Sequence, residues 1–278
     1  MHWIVMGANG MLGQDLEALL RERGEQVTSL DREEADITRG SLELPPADVV
    51  VNCAAFTAVD AAEADEPAAF AVNAVGAANV ARAAHRVGAR VVQISTDYVF
   101  AGDADAPYAE LAPPAPRSAY GRTKLAGEWA VRAENPRHLV VRTAWLYGAH
   151  GPCFPRTIAR AAAERGALDV VADQVGQPTW TVDLADLVVR LVAADAPAGV
   201  YHGTSSGEVS WHGFAQAVVA AAGLDPEIVR PTTSDAYVRP AARPAYSVLG
   251  HDALRAAGVA PIGDWSQRWD AAAGEVLA

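Results

Sequence analysis

The sequence predicts an α/β fold, in which a doubly wound parallel sheet is accompanied by a smaller C-terminal lobe. Three observations predict it. Short apolar runs rich in Val and Ile alternate with longer amphipathic stretches, glycines follow several of those stretches, and a glycine-rich turn comes directly after the first run. Alternating strands and helices form parallel sheets through right-handed crossovers. We therefore expect ligands at the carboxyl ends of the strands, where such sheets bind them.

The elements of the main sheet follow in chain order. The apolar runs predict buried strands over Trp3–Met6, Gln26–Leu30, Asp48–Ala54, Arg90–Thr96, His138–Leu146 and Gly199–Gly203. Apolar residues at three- and four-residue spacing predict helices over Met11–Arg23, Pro67–Val87, Ala119–Glu134, Phe154–Arg165 and Val182–Ala193. Gly24, Gly88 and Gly166 stand where C-caps of three of these helices are expected.

The pattern loosens after about Pro178. Short strands or helices are predicted at Trp211–Ala222, Ile228–Pro231, Ser247–Leu249 and Trp265–Val276, between loops that contain Pro and Gly. We expect residues 1–178 to form the dinucleotide-binding domain, residues 182–203 to return to it, and residues 204–278 to form most of a substrate-binding lobe.

Composition and charge exclude several classes of protein. The net charge is −12, with the acidic residues scattered, so a nucleic-acid partner is not expected. No apolar stretch reaches the ~20 residues that a membrane span needs, and the sequence starts without the features of a signal peptide. The two cysteines, Cys53 and Cys153, form no disulfide framework. These features predict a cytoplasmic protein.

Residues 7–13, which read Gly-Ala-Asn-Gly-Met-Leu-Gly, join the first strand to the first helix. In that position, glycines allow a tight turn and a close approach to a pyrophosphate, which the helix N-terminus attracts. The alternative is a helix-entry turn without a ligand. We assign dinucleotide contacts to Gly7, Asn9, Gly10, Met11, Leu12 and Gly13.

Asp31 and Arg32 end the second predicted strand and bear on the choice of cofactor. Asp31 is suited to the ribose hydroxyls of NAD, whereas Arg32 is suited to the 2′-phosphate of NADP. The pair leaves NADPH and NADH open, and a solvated turn is the alternative. Ala54 and Ala55, after the third strand, are small enough to let backbone pass close to the cofactor.

Tyr120 and Lys124 are the predicted catalytic pair. They lie at i and i+4 of one predicted helix and so share a face. A phenol has a pKa of about 10, so proton transfer near neutrality benefits from an adjacent cation. A surface pair is the usual alternative, but Lys124 is the single lysine beside 21 arginines. Thr96, at the end of the fourth strand, is placed to donate to a substrate carbonyl.

Several motifs together resemble the extended short-chain dehydrogenase/reductases, and more closely the dTDP-4-dehydrorhamnose reductase family. They span nearly the whole chain: GANGMLGQDL at 7–16, VVNCAAFTAVDAAE at 50–63, ISTDYVFAG at 94–102, YGRTKLAGE at 120–128, VVRTAWLYG at 140–148 and DQVGQPTW at 173–180. The resemblance implies a Rossmann-type sheet that binds NADPH or NADH.

The resemblance also implies a reaction. Hydride passes to C4 of a dTDP-4-keto-6-deoxyhexose, Tyr120 protonates the oxygen, Thr96 polarises the ketone, and Lys124 binds the cofactor ribose and tunes the tyrosine. Tyr120 and Lys124 thus count as cofactor contacts as well. Implied substrate contacts are Val59, Thr96, Asp97, Tyr98, Trp145, Arg156 and Gln177. The expected partner is a dTDP-sugar, and the expected assembly is a monomer or a homodimer.

Other interpretations remain open at this stage. A sugar-nucleotide dehydratase carries a Glu after the Thr-Asp pair, and this chain has Tyr98 there, which favours simple reduction; an epimerase or a non-catalytic dinucleotide-binding regulatory subunit are further alternatives. We expect no metal, because the histidines show no metal-ligand spacing. Further residues considered for the site, each with a structural alternative, are Asp60, Glu63, His202, His212, Arg239 and Arg243.

Overall fold

A computed structural model describes residues 1–278. The strands are β1 (His2–Met6), β2 (Gln26–Leu30), β3 (Val49–Asn52), β4 (Arg90–Thr96), β5 (His138–Thr143), β6 (Leu146–Tyr147), β7 (Leu168–Val171), β8 (Val175–Gly176), β9 (Thr179–Trp180), β10 (Gly199–His202), β11 (Val209–Ser210) and β12 (Val229–Thr232). The helices are α1 (Met11–Glu22), α2 (Val59–Ala64), α3 (Glu66–Phe70), α4 (Ala77–Arg86), α5 (Ala119–Glu134), α6 (Phe154–Arg165), α7 (Thr181–Ala193), α8 (Trp211–Ala221), α9 (Asp252–Ala256) and α10 (Trp265–Leu277).

Six strands form one sheet in the order β10-β5-β4-β3-β1-β2, and all neighbours run parallel. The chain moves from β1 outward to β2 and then returns to the other side of β1 with β3. The strand order therefore reverses between β1 and β3, and ligands of such sheets bind in the crevice at that point. The α/β fold with a Rossmann-type parallel sheet is confirmed.

Helices cover both faces of the sheet, which explains why inner strands such as β1 and β3 are mainly apolar. On one face, α1 and α7 bury side chains such as Leu16 and Leu184 against Val5 and Val141. On the other face, Ile4 and Val50 belong to a second cluster with residues of α4 and α5. The two faces alternate along each strand, so the period-two geometry of a strand fixes which helices it contacts.

A separate apolar cluster forms the smaller lobe. It joins α6, α8 and α10 through side chains that include Ile158, Phe214 and Trp269, and it takes in Tyr147 and Trp180 from the short strands β6 and β9. Residues 147–180 thus pack with the C-terminal part of the chain, while β10 lies in the central sheet and α7 packs on α1. The division into a domain over 1–178 and a lobe over 204–278 stays a prediction.

Several predicted elements differ in detail. The third strand covers four residues of the predicted Asp48–Ala54. Strand β5 stops at Thr143, two residues before Trp145, which has a positive φ of 48°. The helix predicted over Pro67–Val87 contains a π-helical segment, Ala71–Gly76, between α3 and α4. The strand predicted at Ser247–Leu249 was wrong, since that segment forms only isolated bridges at Tyr246 and Leu249. None of the helices has both the length and the apolar character needed to cross a membrane.

Candidate active site

The turn after β1 is built from glycines for two separate reasons. Gly7 has a φ of 73°, which favours glycine, and a Cβ there would lie 2.7 Å from the backbone nitrogen of Ala54. A Cβ on Gly13 would lie 2.4 Å from the carbonyl oxygen of Gly7. The first turn of α1 therefore sits directly on the loop, and its residues Met11, Leu12 and Gly13 line the cavity at the carboxyl ends of the strands. An anion such as a pyrophosphate fits this geometry.

A cavity of about 910 Å³ runs from this turn along the carboxyl ends of the strands. Its volume is near the upper end of the roughly 300–1,000 Å³ typical of small-molecule sites. Most of the predicted site residues line it: Gly7, Asn9, Gly10, Met11, Leu12, Gly13, Asp31, Arg32, Ala54, Ala55, Val59, Thr96, Asp97, Tyr98, Tyr120, Lys124 and Trp145. The structure thus brings together residues that lie far apart in the sequence.

Tyr120 and Lys124 project from the first two turns of α5 into the cavity. The helix begins there because Ser118 caps it, accepting from the backbone N–H of Gly121 at 3.1 Å. Gly121 is required, since a Cβ would lie 2.2 Å from the carbonyl oxygen of Tyr98. The Thr96 hydroxyl lies close enough to the Tyr120 phenol to lower the pKa of that phenol. The ring of Tyr98 packs edge-on against Tyr120, with ring centroids 5.6 Å apart.

Burial governs the protonation of this pair. Lys124 is only 4% exposed, and its ammonium donates to the carbonyl oxygen of Ile94 at 2.6 Å. Burial lowers the pKa of Lys124 to about 8, although the Glu128 carboxylate and the Cys53 thiol act in the opposite direction. Burial likewise raises the pKa of Tyr120 well above its usual range, against the effect of the Thr96 hydrogen bond. At neutral pH the site therefore holds a neutral phenol beside a mainly charged ammonium.

A buried ion pair supports the helix that carries them. Arg142 of β5 makes two hydrogen bonds to Glu128 of α5, at 2.7 and 2.8 Å, and both side chains are almost fully buried. Ser95 of β4 donates to the same carboxylate at 2.6 Å. These bonds tie α5 to two strands of the sheet. Removing one partner would leave a buried charge unpaired, which typically costs about 3–5 kcal/mol.

Asp31 and Arg32 differ in how many interactions their side chains make with the rest of the chain. The Asp31 carboxylate accepts from the backbone N–H groups of Asn9 at 3.1 Å and Arg32 at 2.6 Å, so it also holds the glycine turn in place. The Arg32 guanidinium has no ion pair or hydrogen bond within the chain and faces the cavity. A free cation next to an engaged carboxylate is suited to a phosphate group.

Trp145 forms part of the opposite wall in a constrained conformation. Its positive φ of 48° is uncommon for a residue with a side chain, so neighbouring contacts have to hold it. Its indole stacks on that of Trp211, with centroids 3.5 Å apart and planes 9° from parallel. Gly176 leaves room for the ring, because a Cβ there would lie 2.6 Å from the indole. The two indoles form a rigid aromatic wall.

Two predicted substrate contacts lie elsewhere. The Arg156 guanidinium donates to the carbonyl oxygen of Val276 at 2.8 Å and so joins α6 to the end of α10. Gln177 is buried, and its amide oxygen accepts from the backbone N–H of Leu249 and from the Thr204 hydroxyl, both at 2.8 Å. Neither residue lines the cavity. Their hydrogen-bonding capacity is used within the fold.

Asp60 and Glu63 make structural contacts next to the site. Asp60 pairs with Arg243 at 2.8 Å and accepts from the backbone N–H of Ala241 at 3.2 Å, which fastens the C-terminal loop to α2. Glu63 accepts from the backbone N–H of Ala119 at 2.7 Å and so helps to begin α5. Arg239 is exposed and lies outside the cavity lining.

The histidines considered for the site bond to backbone carbonyls. His202 is buried and contacts Gly250 at 2.8 Å, and burial lowers its pKa to about 3, so its ring is neutral. His212 contacts Val229 at 3.0 Å. No cluster of three or more His, Cys, Asp or Glu side chains with the geometry to hold a metal ion is present.

Comparison with known proteins assigns the family. The family described as RmlD substrate binding domain matches residues 1–277. The chain belongs to this family. A similar protein, a dTDP-4-dehydrorhamnose reductase of Streptomyces griseus, is 50% identical over 274 residues, which cover 95% of this chain and 90% of that protein.

Two further relatives bear on the site of this RmlD-family chain. A protein of Streptomyces antibioticus, named as a probable dTDP-4,6-dihydroxy-2-methyloxan-3-one 4-ketoreductase, is 49% identical over 287 residues, covering 100% of this chain and 96% of that protein. The crystal structure of a Bacillus anthracis dTDP-4-dehydrorhamnose reductase in complex with NADP is 36% identical and has a TM-score of 0.92, with 98% of each chain covered. The resemblance to this reductase family inferred from the motifs is confirmed.

Sequence reasoning missed part of the site in this family member. The cavity is also lined by Asp36, Ile37, Thr38, Phe56, His150 and Trp211. Phe56 is held by Asn73 of the π-helical segment, whose amide bonds both the N–H and the carbonyl of Phe56 at 2.8 and 3.1 Å. A π-helical segment often marks a functional region, but no residue pattern signalled this one.

Proposed function

We propose that this chain reduces the C4 keto group of a dTDP-linked 4-keto-6-deoxyhexose with NADPH or NADH, as a dTDP-4-dehydrorhamnose reductase does. One observation carries the proposal. Tyr120, Lys124 and Thr96 converge in the same cavity as the glycine turn, so a proton donor lies at one end of a dinucleotide site. The names of the Streptomyces griseus and Streptomyces antibioticus relatives agree on a 4-keto group and differ in the sugar. The proposal is therefore made for the keto group and the nucleotide, not for one sugar.

The residues around the glycine turn fit a nicotinamide dinucleotide, which supplies the hydride when bound. Gly10, Met11, Leu12 and Gly13 would offer N–H groups and the helix dipole to the pyrophosphate, and Ala54 and Ala55 leave space beside it. Asp31 and Arg32 would contact the adenosine ribose. The free Arg32 guanidinium and the NADP bound to the Bacillus anthracis relative support NADPH as the main cofactor, with NADH as the alternative.

Tyr120 would act as the general acid. Its raised pKa keeps the phenol protonated until negative charge develops on the sugar O4. The Lys124 ammonium, which lines the same cavity, would stabilise the phenolate that remains. Thr96 would donate a hydrogen bond to the same oxygen. Lys124 would also bind the nicotinamide ribose, exchanging its present contact with the Ile94 carbonyl.

Val59, Asp97, Tyr98 and Trp145 would surround the sugar, since all four line the cavity near Tyr120. Trp145 would present its indole face to the ring, supported by Trp211. The residue after Asp97 is Tyr98, so no carboxylate is available there to remove a proton beside the ketone, which favours reduction over dehydration.

We infer a monomer or a homodimer with the dTDP-sugar as its small-molecule partner. Two free thiols, Cys53 and Cys153, are usual in a reducing compartment, which supports action in the cytoplasm.

The test is turnover by the purified chain. A dTDP-4-keto-6-deoxyhexose mixed with NADPH should yield the 4-hydroxy sugar nucleotide, followed by loss of NADPH absorbance and by chromatography of the product. Tyr120→Phe should keep NADPH binding and lose roughly 10²–10⁴-fold in kcat. Lys124→Arg should also lose most activity, because a guanidinium is larger and planar. Tight NADPH binding without turnover by the unaltered chain would show a binding protein instead.

A further inference from the structure

Asp97 is a buried carboxyl group at the reacting end of the cavity. It follows Thr96 at the carboxyl end of β4, begins a short 3-10 turn, and is only 2% exposed. Its Oδ1 accepts a hydrogen bond from the Thr96 hydroxyl at 2.9 Å. It forms no ion pair, and its Oδ2 has no hydrogen-bond partner of ordinary geometry, although the Ser247 hydroxyl lies nearby. A buried carboxylate with no cationic partner and with one unpaired oxygen is poorly stabilised.

The Thr96 hydroxyl has too many potential hydrogen-bond partners for the direction of each bond to be independent. It offers one hydrogen and two lone pairs. The backbone N–H of Tyr98 takes one lone pair at 3.2 Å, which leaves one lone pair and one hydrogen for Asp97 and Tyr120. The protonation state of Asp97 therefore decides the direction of the other two hydrogen bonds.

With Asp97 ionised, Thr96 gives its hydrogen to the carboxylate, and its free lone pair accepts the hydrogen of Tyr120. Both hydrogens then point away from a substrate oxygen. With Asp97 neutral, the carboxylic acid donates to that lone pair of Thr96. The hydrogens of Thr96 and Tyr120 are then both free to point at one acceptor in the cavity.

We propose that Asp97 works as its neutral acid and is a positioning residue, which turns the hydroxyls of Thr96 and Tyr120 toward the carbonyl oxygen of the substrate. This rests on the proposed reductase function, since it assigns Thr96 and Tyr120 to one ketone oxygen. No bond is made or broken at Asp97.

The surroundings of Asp97 favour the neutral acid. Burial raises its pKa to about 6, although the Ser247 and Thr96 hydroxyls and the backbone N–H groups of Asp97 and Tyr98 lower it in part. The titratable groups that face it are the phenols of Tyr98, on its own turn, and Tyr120, on α5; both are neutral near pH 7. Because the pKa is raised, the acid form is present below it and is lost as the pH rises through it.

The experiment compares pH profiles of kcat. The unaltered enzyme should lose activity on the alkaline side as Asp97 ionises. In Asp97→Asn, the amide N–H₂ donates to Thr96 at every pH, so this alkaline decline should vanish. In Asp97→Ala no group orients Thr96, and kcat should fall at least tenfold at every pH with NADPH binding unchanged.

Two more measurements make the test specific. Thr96→Val should also lose the alkaline decline, although Asp97 is present, because the effect passes through the Thr96 hydroxyl. Infrared difference spectra should show a carboxylic acid band that is absent in Asp97→Asn. An alkaline decline that persists in Asp97→Asn, or the absence of that band, would overturn the proposal. Turnover by the unaltered enzyme in the same assay would leave the reductase function standing.

Discussion

The cofactor half and the sugar half of the cavity are built in different ways. The cofactor half is made mainly of backbone: the turn at residues 7–13 is contiguous in the sequence, and its glycines are fixed by contacts with Ala54 and with each other. The sugar half is made of side chains from distant segments, with Trp145 stacked on Trp211. A contiguous backbone feature can therefore be predicted from the sequence, whereas a wall assembled from side chains of distant segments cannot.

The largest effect should come from adding one methyl group to the cofactor half. Gly7→Ala places a Cβ 2.7 Å from the Ala54 backbone at a positive φ. We expect a loss of roughly 2 kcal/mol in the free energy of unfolding and at least a hundredfold weaker NADPH binding, since the loop must move. Urea denaturation and fluorescence titration measure both.

Gly24→Ala is the matched control, because Gly24 also has a positive φ of 72° but no atom lies within 4 Å of its added Cβ. It should lose some stability and keep NADPH affinity. Equal losses of NADPH affinity in the two variants would contradict a cofactor site built on close backbone contacts.

A smaller effect should come from the aromatic wall of the sugar half. Trp211→Ala removes the ring that stacks on Trp145, whose positive φ then lacks support. We expect the KM for the sugar nucleotide to rise about tenfold with the Kd for NADPH unchanged, because an aromatic pair contributes roughly 0.5–1.5 kcal/mol beyond burial. Trp211→Phe should restore most of the affinity.

Arg156→Ala serves as the control in the same lobe, since its guanidinium bonds to the Val276 carbonyl outside the cavity. The KM for the sugar should stay within about twofold. If it rises as much as in Trp211→Ala, the sugar half extends further than the cavity does.

The smallest effect should distinguish the two cofactors. Arg32→Ala removes the free guanidinium at the adenosine end, and we expect the Kd for NADPH to rise about fivefold while that for NADH stays unchanged. Steady-state kinetics with each cofactor measure this difference, and NADH is the internal control. Equal changes for both cofactors would place Arg32 away from the 2′-phosphate.

Sequence predicted the fold, the position of the glycine turn and the placement of Tyr120 and Lys124 in one cavity, because each depends on local spacing. A helical i and i+4 pair faces one way in any fold, so its geometry follows from the helix alone. Arg156 and Gln177 show what local sequence does not predict. Each lies in or near a recognisable motif, but the direction of its side chain depends on a partner far along the chain, Val276 or Leu249. Trp211 was missed for the same reason, since nothing local to it indicates a partner at Trp145.

Because Lys124 is the single lysine, its ammonium group can serve as a spectroscopic probe of the candidate site. Labelling with ¹⁵N-lysine would place one side-chain ammonium signal in the spectrum, and that signal would come from the centre of the candidate site, where Lys124 bonds to the Ile94 carbonyl. Its titration and its response to NADPH would be observed without overlap from any other residue. An amine-reactive label directed at lysine side chains would likewise have Lys124 as its one target, and a bound cofactor would protect it.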